Sequence, residues 1–178
     1  AVSFSSFLNY QKSEAWTWER LALIRGRVVF GEKKFSASIQ SIIAESLRTP
    51  TDISKIFLDV KDMRSKLFDN FKFEKKKIKS LNIKTGRGMM LDLELLIKMG
   101  ALITEQGNGK NMSDLIGCLQ DTEYFSDEES TIIREAWKIF YTSDFLSRYF
   151  NFSVSSAKDH ESNYWSELLQ KTTFYYTH

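Results

Sequence analysis

The stretch Lys84-Thr85-Gly86-Arg87-Gly88 stands immediately before a long apolar run and has the parts of an anion site. Free backbone N–H groups, the positive end of a helix and two cationic side chains would meet there. Glycines in a turn more commonly serve only left-handed backbone angles. Asp92 and Glu94 follow, on a segment with almost no other polar residue. A carboxylate in such surroundings costs several kcal/mol unless it is partnered or protonated. The planar guanidinium fork matches a carboxylate, so Asp92 or Glu94 is expected to pair with Arg25, Arg27 or Arg64 and tie helices in register. Two positions on a helix turn through about 200°, so these two carboxylates cannot chelate one metal ion from a regular helix.

Other chemistry is thinly supplied. The single cysteine, Cys118, lies in Leu115-Ile116-Gly117-Cys118-Leu119 and reads as a small core residue, and no His or Asp pattern beside it suggests a nucleophile. One of the two histidines is the final residue. Lys72, Lys75, Lys76, Lys77 and Lys79, interleaved with Phe71 and Phe73, read as a solvated basic connector. Binding of nucleic acid or an acidic protein through the Lys72–Lys79 region is the alternative, but nucleic-acid binders usually carry a larger basic excess than the net +2 found here. Trp16, Trp18, Trp137 and Trp165 at helical spacings are core residues first and a binding surface second.

The elements that hold these residues are legible from punctuation. The chain has 178 residues, 42% apolar, with only eight Gly and one Pro, too few turn formers for a sandwich or barrel. An all-α bundle of six to seven helices is expected, with one short extended piece near residues 81–84. An N-terminal arm to Lys12 packs through Phe4, Phe7, Leu8 and Tyr10. From Glu14, the stripe Trp18, Leu21, Ala22, Arg25, Val28 and Val29 predicts a helix closed by Gly31. A second helix spans about 35–47 with Phe35, Ile39, Ile42, Ile43 and Leu47 inward, and stops before Pro50. Asp52 caps a third, with Ile53, Ile56, Phe57, Val60, Met63, Leu67 and Phe68 on one face. Residues 69–81 lose the periodicity.

The run from Met89 to Ile103 is apolar nearly all round and should be the most buried helix. A loop at 105–110, a short helix at 112–119, and a long helix opened by the Ser126-Asp127-Glu128-Glu129 capping box complete the pattern, with a final helix at about 159–174 docking through Tyr164, Trp165, Leu168 and Leu169. Charge is split: residues 1–100 hold 19 basic and 11 acidic side chains, for +8, and residues 101–178 hold 6 and 12, for −6. No run of about 18 apolar residues offers a membrane span. One cysteine fits a reducing compartment, so a cytoplasmic location is expected.

The segment from Ala15 to Val29, A-W-T-W-E-R-L-A-L-I-R-G-R-V-V, strongly resembles A-W-T-W-E-H-x-A-L-x-R-A-R-x-V of the bacterial glutamine synthetase adenylyltransferases. Val60 to Arg64 resembles that family's V-x-x-M-R helix, and Asn82-Ile83-Lys84, Gly88 and Asp92-Leu93-Glu94 resemble its D-[IL]-K-x-x-x-G-G-[IL]-x-D-[IL]-E-F block. The resemblance runs over most of residues 7–150. Arg20 stands where the family has His, Gly26 where it has Ala, Asn82 where it has Asp, and Met89 where it has the second Gly.

The resemblance implies the C-terminal, all-helical part of a bifunctional enzyme that attaches AMP to glutamine synthetase and removes it. Residues 1–30 would close the upstream nucleotidyltransferase unit, and residues 31–178 would form the helical bundle. The family's acidic strand-and-turn motif, G-[GS]-x-[DE]-x-D, is absent from these residues, so the resemblance implies no catalytic residue here and leaves ATP and magnesium to the parent enzyme. It implies as partners the nucleotidyltransferase unit, glutamine synthetase and the PII signalling protein. The residues it singles out are Trp16, Trp18, Glu19, Arg25, Arg27, Arg64, Lys84, Arg87, Gly88, Asp92 and Glu94.

Overall fold

A computed structural model describes residues 3–48, 52–74, 83–107 and 109–149. Among them are seven helices and no strand: α1 (Phe4–Ser13), α2 (Thr17–Leu23), α3 (Lys33–Leu47), α4 (Ile53–Glu74), α5 (Met90–Ile103), α6 (Met112–Asp121) and α7 (Asp127–Tyr149). The all-α expectation holds. No helix among the described residues is long and apolar enough to cross a membrane.

Sequence and helix agree best where caps and breakers are explicit. The Asp52 carboxylate accepts the Ser54 N–H at 2.9 Å and opens α4, while the Asn111 side chain accepts the Asp114 N–H at 3.0 Å and opens α6. Helix α3 ends at Leu47, short of Pro50, as the restriction on residues before proline requires. In α5 every residue from Met90 to Ile103 is buried or half-buried, so the helix that is apolar on all sides is the one withdrawn from water. Both α5 and α6 end in a turn with a glutamate in the left-handed region, Glu105 at φ 56° and Glu123 at φ 58°. The Gln106 and Tyr124 N–H groups then reach back to the carbonyls of Ala101 and Leu119.

Several expectations need correction. The N-terminal arm is helix α1, because the Ser3 hydroxyl accepts the Ser6 N–H at 3.1 Å and supplies the cap that a Ser-rich stretch hides among poor helix formers. The next helix, α2, ends at Leu23 rather than Gly31, and its inward residues are Thr17, Arg20, Leu21 and Ile24. Trp18, Ala22, Arg25 and Val29 are exposed, since the chain leaves helical geometry before Gly26 and the expected stripe is out of phase. Phe35, Ile53 and Phe57 are likewise exposed at helix starts, Phe35 meeting the Phe4 ring at 4.8 Å. Helix α4 runs on to Glu74, through residues expected in a connector, because no Gly or Pro stands between Pro50 and Gly86.

Ile83 and Lys84 belong to a turn, not an extended piece, their carbonyls accepting the N–H groups of Met90 and Leu91 at 3.0 Å. Leu81 and Asn82, Lys75 to Lys79, and the expected final helix at 159–174 lie outside the described residues.

The chain divides into two compact units, Ala1–Met63 with Leu95–Ser126, and Arg64–Glu94 with Asp127–His178. In the first, Leu21, Ile24, Ile43, Leu47, Leu115 and Leu119 belong to the core. Gly107 lies so close to Leu47 and Ile24 that an added Cβ would come within 2.8 Å of Leu47 Cδ1. In the second, Met89 and Leu93 are buried, as are Ser130, Ile133, Ala136 and Phe140 on one face of α7.

Candidate functional site

The second unit holds an ionic node built from α4 and the turn that precedes α5. The spacing of Val60 and Arg64 on α4 carries the arginine one turn past a buried valine, and Asp92 falls in the first turn of α5. The Arg64 side chain is only 15% exposed and that of Asp92 10%. Arg64 Nε donates to Asp92 Oδ1, and its Nη2 donates to the carbonyls of Thr85 at 3.3 Å and Gly86 at 3.1 Å. The second carboxylate oxygen of Asp92 accepts the Gly88 N–H at 2.6 Å. Gly88 sits at φ 70°, a conformation that costs a residue with a Cβ about 1–2 kcal/mol, so a glycine at this position is required by the backbone. The guanidiniums of Arg87 and Arg64 lie 4.5 and 5.4 Å from the centre of the Phe68 ring.

This geometry realises the Asp92–Arg64 alternative among the pairings open from sequence. Arg25 and Arg27 are exposed in the first unit, and Glu94 is half-buried on α5. Lys84 and Arg87 are exposed on the turn, but the Gly88 N–H that an anion would need is held by Asp92. The node therefore acts as a structural clasp: one carboxylate neutralises the arginine, caps the start of α5 and fixes the turn. The single carboxylate of the node is already neutralised by the adjacent Arg64 guanidinium, whose charge would oppose a divalent cation. Among the described residues no three His, Cys, Asp or Glu side chains gather to hold a metal ion.

The first unit explains the Trp-Thr-Trp-Glu segment. Glu19 accepts the Trp16 backbone N–H at 2.9 Å, closing the first turn of α2, and both its oxygens accept from the Tyr10 hydroxyl at 2.9 Å. That bond and the glutamate's charge hold the Tyr10 phenol above its ordinary value. The Thr17 hydroxyl donates to Asp59 of α4, and buried Arg20 donates from Nη2 to the Leu47 carbonyl at 3.3 Å. Burial pushes the Arg20 guanidinium down from its usual range. The two tryptophans point away, with Trp16 70% and Trp18 52% exposed, which corrects their reading as core. The buried roles of Thr17 and Arg20 escaped sequence reasoning, and Tyr10 was expected only as a packing residue of the arm. The available signal was the 17, 20, 21, 24 spacing, a clean helical face with a charged member. Cys118 is half-buried rather than core, with Lys110 Nζ 3.0 Å from its sulfur.

Comparison with known proteins accords with these motifs. The family model described as glutamate-ammonia ligase adenylyltransferase matches residues 1–42. The chain is 37% identical over 94 residues to the bifunctional glutamine synthetase adenylyltransferase/adenylyl-removing enzyme of Pasteurella multocida, covering 53% of the chain and 9% of that protein. It is 38% identical over 103 residues to the enzyme of the same description from Agrobacterium fabrum, covering 58% of the chain and 10% of that protein. With the Pseudomonas aeruginosa enzyme it shares 29% identity over 155 residues, 78% of the chain and 16% of that protein. The matches span only a small part of each relative's length. Within that part, the chain is similar to proteins described as bifunctional glutamine synthetase adenylyltransferase/adenylyl-removing enzymes.

Proposed function

We propose that this chain is a non-catalytic helical domain of a glutamine synthetase adenylyltransferase, packing on the nucleotidyltransferase unit of that enzyme and aiding recognition of glutamine synthetase. The observation that carries the reading is the exposure of Trp16, Trp18, Val29 and Phe30, all within the segment that the adenylyltransferase family model matches. Large apolar side chains left in water at this density mark a surface built to be covered. Separate hydrogen bonds of Glu19, Thr17 and Arg20, to Trp16, Asp59 and Leu47, anchor the same helix, which pre-organises the tryptophans for docking.

In this reading the nucleotidyl-transfer chemistry, with its ATP and magnesium, resides in the transferase unit, and the helical domain works in the cytoplasm in nitrogen regulation. The PII signalling protein is a further candidate partner. The test is a pull-down of the chain with purified glutamine synthetase and with PII protein, beside an assay of AMP transfer by the chain alone. Retention of glutamine synthetase without AMP transfer is expected; binding of neither protein at micromolar concentration overturns the partner assignment.

A further inference from the structure

Helix α7 carries a ladder of aromatic rings at every fourth position: Trp137, Tyr141, Phe145 and Tyr149. Trp137 and Tyr141 stack with centroids 6.2 Å apart, and Phe145 and Tyr149 at 5.7 Å with an interplanar angle of 16°. Four residues overshoot a helical turn by about 40°, so the ladder drifts from the flank of the buried face at Phe140 to the opposite side of the helix at Tyr149. Its last three rings are more than half exposed, Tyr141 57%, Phe145 53% and Tyr149 73%, and Leu146 is exposed beside them. A polar-faced terminal helix would carry charges here instead.

The chain itself supplies an occupant. Twenty-nine residues follow Tyr149, and residues 159–174, outside the described residues, repeat the helical pattern. Asp159 stands at the start as a cap, and Tyr164, Trp165, Leu168 and Leu169 form an apolar stripe of matching length. Residues 150–158 are Ser-rich and, at about 3.3 Å each, reach roughly 30 Å, several times the 8–10 Å between packed helix axes. An antiparallel return would bring Tyr164 beside Phe145 and Leu168 beside Tyr141. It would also set Asp159 and Glu161 at the end of α7 where Arg148 pairs with Asp144 at 2.8 Å, so the apolar stripe rather than charge drives the docking.

We propose that the exposed aromatic ladder of α7 is the docking surface for the chain's own 159–174 segment, which folds back as an antiparallel helix with Trp165, Leu168 and Leu169 on the rings. This inference does not depend on the proposed enzymatic context, because both partners lie in the same chain.

Amide hydrogen exchange of the full chain, beside a synthetic peptide of residues 150–178, tests it. Amides 164–171 should exchange at least about tenfold more slowly in the chain than in the peptide. Tyr141→Ser with Phe145→Ser should abolish that slowing while the α5 amides keep theirs. The reciprocal pair, Trp165→Ser with Leu168→Ser, should speed exchange at 141–149 and serves if the α7 variant fails to fold. Equal rates in chain and peptide overturn the proposal. So does slowing that survives these substitutions, or slowing that grows with protein concentration and so reports a second copy on the ladder.

Discussion

Arg64 on α4 and Asp92 on α5 form an ion pair whose carboxylate also accepts the Gly88 N–H, so one aspartate holds both a neighbouring helix and the turn that starts its own. Desolvating the two charges costs free energy, which is offset through Arg64 Nε and Nη2 and both carboxylate oxygens, while Nη1 is buried without a hydrogen-bond partner.

Asp92→Ala should therefore destabilise the protein by about 3–5 kcal/mol, the range for removing one partner of a buried pair. Arg64→Met strands the Asp92 carboxylate in turn and should cost a similar amount, whereas the double variant Asp92→Ala with Arg64→Met, which removes both charges, should cost less than the two single losses together. Urea denaturation followed by circular dichroism measures all three, and a loss below about 1 kcal/mol for Asp92→Ala would show that Arg64 finds water instead.

Tyr10 should titrate above the ordinary phenol value of 10.0, because it donates to Glu19 and the glutamate's charge opposes tyrosinate. A folded-state value raised above the unfolded one means that the stabilisation is complete below the unfolded value and is lost as pH rises through the folded value. Difference absorbance between the parent chain and Tyr10→Phe isolates this group. In a Glu19→Ala background the same difference titration should move back down toward the ordinary value.

Two helical glycines should respond to alanine with opposite sign. At Gly117 of α6 an added Cβ meets nothing within 4 Å, so Gly117→Ala should stabilise by about 0.5–1 kcal/mol through backbone entropy. At Gly100 of α5 the same Cβ comes within 2.6 Å of the Tyr124 ring and 3.2 Å of Leu119, so Gly100→Ala should cost about 1–3 kcal/mol unless that ring swings aside. Urea midpoints of the two variants measure the contrast.

Helices marked by explicit physics were readable in advance. Pro50 and Asp52 marked ends, the unbroken apolar run marked α5, and the cost of a lone carboxylate pointed to Asp92 and an arginine partner. Helix α1 was hidden because its cap and its poor helix formers are the same residue type, serine. The phase of α2 was misread because Trp18 and Val29 looked like core, whereas the buried face includes Thr17 and Arg20. Those two polar residues are held inside by a carboxylate and a carbonyl from distant parts of the chain, Asp59 and Leu47, which no local periodicity reveals.

In the proposed function, exposed Trp16 at the cap of α2 and Trp18 within it meet a nucleotidyltransferase unit. The most direct measurement is tryptophan emission of the chain titrated with the separately produced nucleotidyltransferase unit of a bifunctional relative, in the parent chain and in Trp16→Ala with Trp18→Ala. A saturable blue shift that is lost in the double variant, with its circular dichroism unchanged, is the result predicted. No shift at micromolar concentrations, or binding indifferent to both tryptophans, would contradict it.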